Sequence, residues 1–132
     1  MKWLLSIFTI LLFINCTQTK QMNYTYADGS GNTYTLVGKK IRYNPIQPKE
    51  SSSGTYSGGE KKEVSINETE QKKIVDLFQK AIDNKKIHMT QRQMGTGMIR
   101  FMKEKNMERI IIPMRSKEKN NIESFLKSLL NI

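Results

Sequence analysis

Few side chains in this sequence offer chemistry beyond that of a protonated amine. It holds one histidine, His88, and one cysteine, Cys16. Nucleophilic catalysis needs a nucleophile held beside a base. His88 follows a helical stretch in Lys86-Ile87-His88-Met89, and no Gly-x-Ser-x-Gly turn aims a serine at it. It therefore reads as structural or merely exposed. A metal site needs clustered His, Cys or carboxylates. Asp28-Gly29-Ser30-Gly31-Asn32 shares part of the outline of a calcium loop, but it has one carboxylate and no distal Glu at the required spacing. It reads as a turn. Acid–base work by paired carboxylates needs two acids in unlike environments. The acids here alternate with lysines at helical spacing, as Glu68 does with Lys72, and such pairs are solvated. No catalytic residue, metal or cofactor is expected, and the chain reads as a non-enzyme.

Binding residues are easier to find. Ser51-Ser52-Ser53-Gly54-Thr55-Tyr56-Ser57-Gly58-Gly59 offers hydroxyls, backbone N–H groups and one aromatic. Loops of this kind cradle anions, and tyrosine is a common interface anchor. Ser53, Gly54 and Tyr56 are its candidate residues. Arg92, in Arg92-Gln93-Met94-Gly95-Thr96-Gly97, has the forked guanidinium that grips a carboxylate. Arg100, on the following strand 97–102, joins it. Met22, Met89, Met94, Met98, Met102, Met107 and Met114 have the soft sulfur that transition metals favour. Their irregular spacing points instead to core packing.

These residues need a scaffold. Tyr24-Thr25-Tyr26-Ala27 and Thr33-Tyr34-Thr35-Leu36-Val37 alternate in polarity and are rich in aromatic and β-branched residues, which marks strands. Gly38-Lys39 suits a two-residue hairpin turn before Lys40-Ile41-Arg42-Tyr43. Residues 47–62 contain no aliphatic side chain and read as a long surface loop. Glu63-Val64-Ser65-Ile66 is a short strand. Asn67 and Glu70 form a capping box for a helix over 68–85, with Ile74, Val75, Leu77, Phe78, Ala81 and Ile82 on one face. Residues 97–102 and 109–113 form two more strands joined by Lys103-Glu104-Lys105-Asn106-Met107. A final helix, capped by Asn120 or Asn121, buries Ile122, Phe125, Leu126, Leu129 and Leu130. The order is β-β-β-β-α-β-β-α. Adjacent strands favour hairpins, so the fold class is α+β: an antiparallel sheet with two amphipathic helices packed on one face.

The beginning of the chain is an address. Met1-Lys2 precedes an uncharged run, Trp3 to Ile14. That run falls short of the roughly 20 residues that span a bilayer, and has the length of a signal h-region. The chain then turns polar around Cys16. Phe13-Ile14-Asn15-Cys16 resembles a lipobox, with Phe13 in place of the usual leucine and Asn15 in place of a small residue. Looser lipoboxes of this type resemble those of Bacteroidetes and spirochaetes. The resemblance implies a bacterial lipoprotein: residues 1–15 a type II signal peptide, Cys16 the acylated first residue, 16–22 a polar tether, and 23–132 a single domain. Membrane lipid is then a partner through the chains on Cys16. Thr17 is not aspartate, which by resemblance to the sorting rule of enteric bacteria implies the outer membrane. No acidic tag follows the cysteine, which favours its periplasmic face.

Charge narrows the partner. The sequence has 22 Lys and Arg against 12 Asp and Glu, a net +10; without Lys2 of the signal the mature part carries +9. Export removes nucleic acid from consideration. Anionic lipid headgroups, toward which each Lys or Arg contributes about 1 kcal/mol, and an acidic protein partner drawn in by electrostatic steering fit the balance equally. The expected function is a non-enzymatic, lipid-anchored binding module. The alternatives are an immunity or inhibitor protein against a periplasmic toxin or hydrolase, and a small-ligand-binding protein or enzyme using the region of Arg92 and His88.

Overall fold

A computed structural model describes residues 23–132. The segments expected to be a signal peptide (1–15) and a tether (16–22), with Cys16 and Met22, lie outside the described residues. The elements run β1 (Tyr24–Ala27), β2 (Thr33–Val37), β3 (Lys40–Asn44), β4 (Lys62–Ser65), α1 (Glu68–Asp83), β5 (Gly97–Lys103), β6 (Asn106–Ile112) and α2 (Lys117–Leu130). The class is α+β, and the order is the one expected from the sequence.

The strands form one antiparallel sheet in the order β4-β3-β2-β1-β5-β6. Strand alternation sends Tyr24, Tyr26, Tyr34, Leu36, Ile41, Tyr43, Ile99, Phe101 and Ile112 to one face, where they are buried. The helices supply Ile74, Phe78, Ala81, Ile122, Leu126 and Leu130 to the same core. Tyr24 stacks on Phe78 with ring centroids 5.0 Å apart. The helices also meet each other, with Lys73 Nζ lying 4.4 Å from the centre of the Phe125 ring.

A buried polar link ties α2 to the sheet. Tyr26 donates its hydroxyl hydrogen to Glu123 Oε1 at 2.7 Å, and Lys119 Nζ lies 2.9 Å from the same oxygen. Burial, then this hydrogen bond, raises the Tyr26 hydroxyl far above the usual phenol range.

Each helix starts where a side chain satisfies its free N–H groups. Asn67 Oδ1 accepts from Glu70 N, and Glu70 Oε2 accepts in return from Asn67 N. For α2 the cap is Ser116, whose Oγ accepts from Lys119 N at 3.2 Å, so the helix begins well before Asn120. Its first turn is Lys117-Glu118-Lys119-Asn120, which has no apolar residue to reveal the periodicity. β6 also begins earlier than expected, at Asn106. Its first residues are exposed and polar, apart from Met107, so hydrophobic patterning could not mark them. The β5–β6 connection therefore shrinks to Glu104-Lys105, with Glu104 in the left-handed region at φ 56°. Gly38 (φ 59°) turns the β2–β3 hairpin as expected, with Val37 opposite Lys40.

The methionines depart from the core-packing expectation. Met98 is buried and Met89 packs beside it. Met94, Met102, Met107 and Met114 are exposed.

The loop after β3 is held down. Asn32 Oδ1 accepts from Ile46 N at 2.9 Å, and Asn32 Nδ2 donates to Tyr56 Oη at 3.0 Å. Gly58 N donates to Ile46 O, and Tyr43 donates its hydroxyl hydrogen to Gly58 O at 2.7 Å. A side chain at Gly58 would run into Asn32 Oδ1. Asp28 completes the anchor: its carboxylate accepts from Ser30 N, Asn32 N and Asn32 Nδ2, each at 2.9 Å.

Candidate functional site

The helices cover one face of the sheet. The other face presents the alternate residues of every strand. Following the register across the sheet gives one continuous row: Glu63, Arg42, Thr35, Thr25, Arg100, Arg109. At the β4 end the charges are matched. Glu63 accepts from Arg42 Nε and, at 3.1 Å, from Lys40 Nζ, and these bonds hold its carboxyl below the usual range. At the β6 end they are not. Arg100 and Arg109 form no ion pair with any described residue.

The neighbouring row supplies an apolar floor. Ala27, Met98 and Ile111 are adjacent in register, all buried, with Met89 packed against them. Met89 forms a single antiparallel bridge to Ile111, its N–H donating to Ile111 O at 2.9 Å. The chain then passes through Thr90 and Gln91 to Arg92, whose Nη2 donates to Asp28 O at 2.9 Å. That bond uses part of the guanidinium fork and fixes its position. Arg92, Arg100 and Arg109 thus line one open cleft of about 420 Å³, with Met98 and Ile111 as its floor and Thr90 and Gln91 at its wall.

Three guanidiniums around an apolar floor select an anion. Each presents several N–H donors in a planar fork that matches the two oxygens of a carboxylate. The lining has no imidazole, thiol or carboxylate. It can therefore orient and hold an acidic group, but it supplies neither a base nor an acid for turnover. Comparison with protein-family models, with curated proteins and with solved structures finds no match. The site must be read from its own chemistry.

The sequence-derived candidates fall in different places. Arg92 and Arg100 come together in the cleft. Ser53, Gly54 and Tyr56 do not line it; they sit in the loop pinned to Asn32, where Ser53 and Gly54 are exposed and Tyr56 is 39% exposed. His88 lies on the helix side of the sheet, donating from Nε2 to Ala81 O at 2.8 Å. It lines a separate cavity of about 620 Å³ with Tyr24, Ile82, Phe101, Glu108 and Ile110. Arg92 and His88 thus belong to different cavities. Among the described residues no group of three or more His, Cys, Asp or Glu is arranged to hold a metal, and no helix is long and apolar enough to cross a membrane.

Sequence reasoning missed Arg109. A hairpin turn centred on Glu104-Lys105 pairs residues whose numbers are symmetrical about it, and Arg100 and Arg109 are such a pair. A connection three residues shorter than the expected Lys103–Met107 exposes the relationship.

Proposed function

We propose that this protein is a non-enzymatic, lipid-anchored binding module that takes an acidic protein partner on the open face of its sheet. The observation that carries the reading is the convergence of Arg92, Arg100 and Arg109 on one cleft, none of them paired with a carboxylate among the described residues. Unpaired guanidiniums over apolar side chains gain most from a partner that brings carboxylates and excludes water. The net charge of +9 on the mature part, 10 − 1 without Lys2, steers such a partner toward the protein before contact. The anchor is the acylated Cys16. One chain binds a membrane marginally, since each buried methylene contributes about 0.8 kcal/mol, so two or more chains hold the module in place. The compartment that fits this anchor is the periplasmic face of the outer membrane.

The test is photo-crosslinking in cells, with the reactive residue replacing Thr35 on the open face. A single crosslinked protein that disappears in an Arg100→Gln/Arg109→Gln variant, and weakens with salt, supports the reading. A protein that stays in the membrane fraction and crosslinks to nothing sinks it. The anchor has its own readout: Cys16→Ser must remove both the membrane fraction and the mass of the acyl chains.

A further inference from the structure

The two cavities described above lie on opposite faces of the sheet, and β6 separates them. Arg109 and Ile111 line the cleft on the open face, while Glu108 and Ile110 line the cavity on the helix face. β6 is also an edge strand, last in the sheet order. In an antiparallel ladder, alternate residues bond to the inner neighbour and the rest point their N–H and C=O outward. Ile111 is one of the outward set, because its carbonyl accepts the Met89 N–H from outside the sheet. Two and four residues earlier, Arg109 and Met107 belong to the same set. No described residue bonds to their outward groups. The chain itself begins a seventh strand at Met89, makes one bridge, and leaves over the open face.

We infer that the acidic partner docks as an extended strand added to the free edge of β6, over Asn106–Ile110. The inference rests on the open-face reading above and names the form of the partner. A strand added there projects its side chains alternately to the two faces. Those on the open face reach Arg100 and Arg109, and call for Asp or Glu. Those on the other face meet the cavity where Ile82, Phe101 and Ile110 make the apolar part beside charged Lys85, Lys103 and Glu108, and aliphatic residues fit that apolar part. The partner segment is therefore five or six residues of alternating acidic and apolar character. Edge strands carry charges to discourage such pairing, and Arg109 and Glu108 could serve that end alone. Arg100 could not, because it stands on the inner strand β5, where no edge needs protecting.

The probe is an acetylated, amidated hexapeptide of alternating Glu and Leu, added to the full-length chain in neutral detergent micelles. Binding and amide hydrogen exchange are followed by NMR. Exchange at Met107 and Arg109 should slow about tenfold or more at saturation. A peptide N-methylated on its edge-facing amides should lose the binding. A Met107→Pro variant should lose it too, since the ring replaces an N–H that bonds to nothing in the fold. If the N-methylated peptide binds as well, exchange is unchanged, and Arg100→Gln weakens both peptides, strand addition is overturned while the open-face reading stands. Poly-glutamate separates the remaining case: bound polymer with unbound hexapeptide overturns strand addition alone, and no binding of either overturns both.

Discussion

Arg100 stands directly across the β5–β6 ladder from Arg109, on the same open face of the sheet. Two like charges in this position destabilise a strand pair, by roughly 0.2–1 kcal/mol relative to neutral partners. A surface selected for stability alone would place an acid at one of the two positions. The fold carries a local cost at the place where its cleft needs positive charge.

Arg109→Glu should therefore make the protein more stable and less able to bind. The new carboxylate pairs with Arg100 across the strands and fills the cleft's need from within. Thermal unfolding should rise by a few degrees, at about 4–8 °C per kcal/mol for a domain of this size. Binding of an acidic peptide should fall in the same variant. A variant that binds normally would remove the cleft from the function.

Tyr26→Phe should destabilise the fold by about 1–3 kcal/mol, because it strips one hydrogen bond from a carboxylate that is largely buried. Glu123 would keep only Lys119. Glu123→Leu should cost more, about 3–5 kcal/mol, since it strands the buried Lys119 ammonium. Urea unfolding of both variants checks the order.

Alkaline pH should unfold the protein cooperatively. Burial raises the hydroxyls of Tyr24, Tyr26, Tyr34 and Tyr43 above the usual phenol value of about 10. Between the unfolded and folded values the unfolded chain binds fewer protons, so stability falls as pH rises. The contribution is complete below pH 10 and is lost progressively above it. Absorbance at the phenolate band should show most tyrosines ionising together with unfolding, not before it.

Asn32→Ala should free the loop that follows β3. It removes the acceptor of Ile46 N and the donor to Tyr56 Oη together. The expected loss is about 1–3 kcal/mol, with new protease cleavage between residues 50 and 59. Gly58→Ala should produce the same cleavage by a different route, pushing the loop off Asn32. Peptide binding at the arginine cleft should survive both changes.

Several features of this protein are local, and the sequence by itself determined them. The strands β1 to β3 follow from alternation of tyrosine, threonine and aliphatic residues. The start of α1 follows from Asn67 and Glu70, four residues apart counting both, each bonding the other's backbone. The α+β class follows from two amphipathic helices that need a sheet. In each case a residue acts on neighbours within one turn or one hairpin, so its effect is written in spacing. The start of α2 and the first half of β6 escaped the same reading because their polar residues carry no periodic apolar signal.

The tertiary structure decided the site. Arg92 reaches the cleft because Met89 bridges to Ile111 and the chain then crosses to Asp28. Arg109 meets Arg100 only once the hairpin turns at Glu104-Lys105. His88 leaves the cleft because β6 lies between its cavity and the arginines. A pairing register shifted by one residue would send Arg109 to the helix face. Long-range register, not residue type, is what gathers three scattered arginines over one apolar floor.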